Sequence, residues 1–165
     1  MTLEVRRARP GDDLAAAGRI VQLAYFGLPG YPHDEEYDIT IGEVADRATD
    51  TTTSVVVGLL DGRLVGCLTY VDHPDNPHHE FDDAEAATFR FFGVDPSVQG
   101  RGVGEAMVQW CIHEAAAAGK ARLRIHTLES MQGAQRLYHK MGFQRDPAGD
   151  EEWDGVLGLA FVYEL

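Results

Sequence analysis

Apolar and polar residues recur along the chain with two periods, roughly 2 and roughly 3.6 residues, and the switches between them mark its elements. Leu3 to Ala8 alternates apolar with charged residues, the pattern of a half-exposed strand. From Gly11-Asp12-Asp13 to about Leu28 a capping acid precedes apolar residues at helical spacing, until Pro29-Gly30-Tyr31-Pro32 breaks the chain. A weaker helical pattern covers Asp34 to Ala48 and stops before Asp50-Thr51-Thr52-Thr53. Ser54 to Leu60 and Arg63 to Asp72 are β-branched-rich runs joined by Asp61-Gly62, which predicts an antiparallel hairpin.

His73 to Asp83 is polar, acidic and broken by proline, so a surface loop is expected there, followed by a strand from Glu85 to Asp95. A sharp turn through Pro96 and Gly102 leads into a helix from about Val103 to Ala118, with Val103, Met107, Cys111 and Ala115 on one face and Gly119 ending it. Arg122 to Thr127 alternates as a strand, Glu129 to Met141 reads as a helix, and Val156 to Glu164 closes the chain as a strand. The order β-α-α-β-β-β-α-β-α-β predicts an α/β (α+β) fold, a mixed sheet flanked by helices. With no repeat and no low-complexity linker, residues 1–165 are expected to form one domain.

Charge narrows the partners. A net charge of −13 repels phosphate backbones and anionic lipid, so neither nucleic acid nor a membrane is expected, whereas cationic ligands are favoured. Apolar runs such as Val55 to Leu60 are far shorter than a membrane span, and Arg6, Arg7 and Arg9 precede no apolar stretch, so a cytoplasmic protein without a signal peptide is expected. Cys67 and Cys111 lie in no Cys-x-x-Cys pair and read as small core residues. His73, His78 and His79 match no ligand spacing, so no metal is expected.

The chemistry concentrates after the fourth predicted strand. Gly100, Gly102 and Gly104, within Gln99-Gly100-Arg101-Gly102-Val103-Gly104, remove Cβ atoms where the chain enters a helix. Open amides and the positive end of a helix dipole then make an anion site suited to a pyrophosphate, although glycines also serve plain turns. No Gly-Lys-Ser/Thr is present, and Glu105 occupies the place of a third Rossmann glycine.

Gln99-x-x-Gly102-x-Gly104 after Val94-Asp95-Pro96 resembles the acetyl-CoA loop of the GNAT N-acetyltransferase superfamily, and Leu137-Tyr138-His139-Lys140-Met141-Gly142-Phe143 resembles its L-Y-x-x-x-G-F signature. The resemblance implies a splayed sheet in which the strand ending at Val94 parts from the one around Ile125, with acetyl-CoA as acyl donor between them. Phe92, Gly93 and Val94 would pair with pantetheine, with Gly93 easing its entry, and Gln99, Gly100, Arg101, Gly102, Val103 and Gly104 would hold the phosphates. Tyr138 would protonate the departing thiolate, or else is a core tyrosine on the face shared with Ala134 and Met141.

Two positions depart from the superfamily pattern. Met131 replaces a common Asn seven residues before Tyr138, and Thr88 replaces a strand carboxylate six residues before Val94. Glu85 is the first substitute for the missing base, reaching the cleft if the strand bulges there; otherwise it is a solvated charge beside Glu80, Asp82 and Asp83. The superfamily's acceptor segment holds Phe26, Tyr31, His33, Asp34 and Glu35 here, aromatics and acids that suit an amine. The expectation is an acetyl-CoA-dependent N-acetyltransferase acting in a ternary complex on a small amine, a peptide N-terminus or a lysine, with a homodimer left open. A noncatalytic acyl-CoA-binding or interaction module is the alternative.

Overall fold

The computed structural model describes residues 1–165. Strands β1 (Leu3–Arg7), β2 (Ser54–Leu60), β3 (Arg63–Val71), β4 (Ala86–Val94), β5 (Arg122–Leu128), β6 (Gln144–Arg145), β7 (Glu151–Trp153) and β8 (Val156–Glu164) form one sheet. Its order is β1-β2-β3-β4-β5-β8-β6, with β7 also on β8. Only β4 and β5 run parallel; the other pairings are antiparallel. Helices α1 (Leu14–Phe26), α2 (Glu35–Gly42) and α3 (Val44–Ala48) cover one face, and α4 (Val103–Ala117) and α5 (Gln132–Met141) the other.

Alternation along each strand explains this layering. Val55, Cys67 and Phe91 join the core beneath α1, whereas Val56, Leu68 and Phe89 face α4. Both faces are covered, which is why β2 and β3 read as nearly unbroken apolar runs. The expected hairpin forms, with Asp61 and Gly62 at φ of 50° and 79°. Asp13 caps α1 by accepting from the Ala16 amide at 2.9 Å.

Two helical expectations change. Asp34 to Ala48 is two helices, because the chain leaves helical geometry at Glu43 (ψ 54°). Arg47 holds the break by donating to the Thr40 and Ile41 carbonyls at 2.6 and 2.9 Å, the first shared with the Glu43 amide and the second left without a helical partner. The last helix starts at Gln132 rather than Glu129, with Gln135 Nε2 donating to the carbonyls of Leu128 and Glu129. The short strands β6 and β7 carried no periodic signal.

The feature that positions the site is a parting of strands. β4 and β5 pair only at Ala86 with Arg122 and Ala87 with Leu123. Beyond that, β5 follows β8, to which all its residues are paired, while β4 stays with β3. Main-chain donors and acceptors along both lips of the split are thereby left without a ladder. No helix is long and apolar enough to cross a membrane.

Candidate active site

At one end of the split lies the glycine turn. Gly102 has φ 83° and is the N-cap of α4, with no side chain to cap it. That left-handed conformation suits glycine. The first-turn amides of α4 therefore meet no protein acceptor, with the helix dipole behind them. A Cβ on Gly104 would lie 3.5 Å from Leu137 Cδ2 and 3.6 Å from Phe92 Cζ, ordinary contacts, so the protein itself does not forbid a side chain there. Gln99, Gly100 and Arg101 are exposed, and Val103 is buried as the helix anchor.

Next comes a bulge. Cys67 faces Gly93 while Thr69 faces Arg90, so β4 carries one residue more than β3. Phe91 occupies the surplus with φ 51°, an unfavourable conformation for a bulky residue that persists only where its surroundings impose it. Those surroundings are the guanidinium groups of Arg47 and Arg90, 4.1 and 4.2 Å from the ring, and the edge of His78. The bulge turns Phe92 into the cleft and disrupts the ladder beside it. Gly93 has a different role from the one expected. Its Cβ would lie 2.9 Å from Val21 Cα and 3.0 Å from Ala24 Cβ, so its bareness admits α1 rather than pantetheine. Val94 is half-buried beside the core under α4.

Between the lips opens a cleft of about 780 Å³, bounded by Phe89, Arg90 and Phe92 on β4 and His126, Thr127 and Leu128 on β5. Tyr138 lines it, 4% exposed, its ring packed near Phe89, Phe143 and Phe161. Burial raises its pKa, so the phenol keeps its proton at neutral pH. Both readings of Tyr138 are thus compatible with its placement, a core ring that also borders the cleft.

Glu85 does not reach this cleft. It is exposed just before β4, where pairing with β5 is intact, and its carbonyl accepts from the Ala121 amide at 2.9 Å. The bulge it would have needed lies instead at Phe91. Thr88 is fully buried and also outside the cleft.

Glu80 is the carboxylate that the cleft contains in its half-buried wall. Its Oε1 lies 3.7 Å from His126 Nδ1 and 4.0 Å from Arg90 Nε. Burial tends to raise its pKa, but the neighbouring His126 ring and the charge of Arg90 outweigh this and hold it below the usual carboxylate value. His126 is nearly sealed, stacked on Phe81 at 4.3 Å, with Nε2 2.7 Å from the Gly149 carbonyl. Burial lowers its pKa while Glu80 and Gly149 raise it more, and the net shift is upward. Both ring nitrogens face acceptors, which favours the imidazolium. The alternating pattern of β5 held the signal for His126: Arg124 and His126 share one face of a strand in a covered sheet.

The outer end of the cleft is aromatic and acidic. Tyr31 lines it and donates to Asp38 Oδ1 at 2.8 Å, with Tyr37 and Trp153 nearby on the same cleft. Phe26 lies outside, 38% exposed, in a separate shallow groove with Gln22 and Ile39, although its ring is 5.9 Å from that of Tyr31. Met131, at the N-cap of α5, also lines the cleft.

The profile of the Acetyltransferase (GNAT) family matches residues 19–143. The chain belongs to this family. It is 27% identical over 144 residues to a mycothiol acetyltransferase of Thermomonospora curvata, covering 86% of this chain but only 44% of that relative. PaiA N-acetyltransferase from Thermoplasma acidophilum, solved in complex with coenzyme A, matches over 100% of both chains with a TM-score of 0.75 and 14% identity. A GNAT family acetyltransferase from Elizabethkingia anophelis, with acetyl-CoA bound, matches 99% of this chain and 98% of its own with a TM-score of 0.67 and 16% identity. These likenesses establish the splayed GNAT fold.

Proposed function

We propose that the chain is an N-acetyltransferase that moves an acetyl group from acetyl-CoA to a primary amine in a ternary complex. The observation that carries this reading is the alignment of three unsatisfied features: the uncapped start of α4, the bulge at Phe91, and the parted lips of β4 and β5. Together they suit an anionic head followed by an extended amide-bearing arm, which is the shape of coenzyme A. The complexes of the two structural neighbours support the same choice.

Bound acetyl-CoA would supply an activated acetyl carbonyl. Amides of the α4 turn hold its phosphates, and main-chain groups at Phe92 and Val94 orient its arm. A bulge amide donates to the carbonyl oxygen as negative charge develops there. Glu80, ionised at neutral pH, receives the proton of the attacking amine, directly or through water. Tyr138 donates its proton to the departing sulfur. The carboxylate that the noncatalytic alternative lacks is therefore supplied by Glu80 in this reading, with residues 1–165 as one catalytic domain.

Calorimetry and a thiol-release assay test it. Gly104→Val should lose acetyl-CoA affinity at least tenfold in a protein that still folds, because a Cβ there meets only ordinary protein contacts while the larger side chain occupies the approach to the amides. Unchanged acetyl-CoA affinity in that variant, or no thiol release with any amine, would overturn the assignment.

A further inference from the structure

Two arginines embrace Phe91, and they are used differently. Arg47 is buried and satisfied, donating to Thr69 Oγ1 and to the carbonyls of Thr40 and Ile41. Arg90 borders the cleft and makes no hydrogen bond to the protein: its Nε is sealed without a partner, and its terminal nitrogens stay open. It is also the one lysine or arginine among the residues lining the cleft. Glu80 approaches it only to 4.0 Å, beyond hydrogen-bond reach. A half-buried guanidinium with an unfilled fork is a receptor for a planar anion, and carboxylate is the planar anion it matches bidentately.

The neighbouring carboxylate sharpens this. Arg90 and Glu80 present opposite charges 4.0 Å apart on one wall. A ligand that answers both must carry an anion and a cation at a similar spacing, in the reverse order. An α-amino acid has that pattern, with its ammonium and carboxylate on one carbon. A simple amine answers Glu80 alone, and a peptide N-terminus has a neutral amide where the carboxylate should be.

Resting on the acetyltransferase reading, we infer that the acceptor is an α-amino acid, its carboxylate held by Arg90 and its amine delivered to Glu80. Tyr31, Tyr37 and Trp153 then flank the side chain, so an aromatic or apolar one fits best. The exposed acids Asp34, Glu36 and Asp154 at the rim attract the ammonium and disfavour a second carboxylate.

The test uses pairs matched in side chain that differ in the anion: L-tyrosine with tyramine, and L-tryptophan with tryptamine. With acetyl-CoA as donor, kcat/KM should favour the amino acid by about ten- to a hundredfold, the range for a charged hydrogen-bond pair, mostly through KM. Arg90→Gln should collapse each ratio to about one. Equal or better use of tyramine by the wild type, or a preserved ratio in a folded Arg90→Gln protein, overturns the inference. If the variant does not fold, the wild-type ratios alone decide. Turnover of other amines with none of these compounds used also overturns the inference and leaves the acetyltransferase reading standing, whereas absence of turnover with any amine sinks that reading instead. Calorimetric titration of the same compounds into protein loaded with coenzyme A then still reads the carboxylate preference: equal affinities overturn it, and tighter binding of the amino acids upholds it.

Discussion

Tyr138 and Glu80 carry opposite halves of the proposed proton traffic, and their surroundings keep each in its working form. Burial holds the phenol above 10.0, and His126 with Arg90 holds the carboxylate below 4.5. Neither group should therefore titrate between about pH 5 and 9, and kcat/KM in that window should rise with the acceptor amine's own deprotonation, with any further step belonging to His126 beside Glu80. Tyr138→Phe and Glu80→Gln should each lower kcat by about 10²–10⁴-fold with acetyl-CoA affinity retained, whereas Glu85→Gln should stay within about twofold. Wild-type kcat in the Tyr138 variant would return that residue to core packing. Tyr138 was legible because a motif framed it. Glu80 was not, since it sits in a run of acids that looks uniformly solvated, and only burial by Phe81, Arg90 and His126 separates it from Asp82. The same limit applied to Arg90, whose significance is a missing partner rather than a residue type.

At the scale of elements, what the sequence pattern revealed was periodicity, and what it missed was geometry between elements. The hairpin, the α4 entry and the helical face around Tyr138 follow local rules. The break at Glu43 depends on Arg47 reaching back across a turn, and the bulge depends on two guanidinium groups gripping Phe91; neither leaves a local trace. Gly93 was correctly singled out for its missing side chain, but the body it admits is α1. Another non-local tie joins β1 to the start of α1: Arg6 donates to both oxygens of Asp12 at 2.8 and 3.0 Å, and the Arg9 amide donates to the same carboxylate. The Arg6 bond, joined by the Arg9 amide, drops the Asp12 pKa from the usual carboxylate range to about 2. A depressed carboxylate stabilises the fold above its unfolded pKa and loses that contribution as pH falls through the folded one. Asp12→Asn should therefore lower Tm by a few degrees at pH 7, and the difference should shrink between about pH 4 and 2. A gap that persists at pH 2 would mean packing, not charge, holds that corner.

For the whole molecule, a net charge of −13 sets a long-range field that a ligand meets before any contact forms. Such a field acts on a ligand's net charge, whereas the pair Arg90 and Glu80 acts on its individual groups. These separate experimentally, because salt screens the first strongly and a half-buried contact weakly, the Debye length falling from about 30 Å at 0.01 M to about 8 Å near 0.15 M. Tyramine, a cation, should be drawn to the acidic protein at low salt, so its KM should rise several-fold from about 10 to 500 mM salt. L-Tyrosine is net neutral near pH 7 and should keep a nearly constant KM over the same range. The preference for the amino acid should accordingly widen as salt is added. Parallel rises for both compounds would show that the field recognises only the ammonium, and that the carboxylate is held by nothing in the cleft; flat responses for both would show that the net charge serves solubility alone.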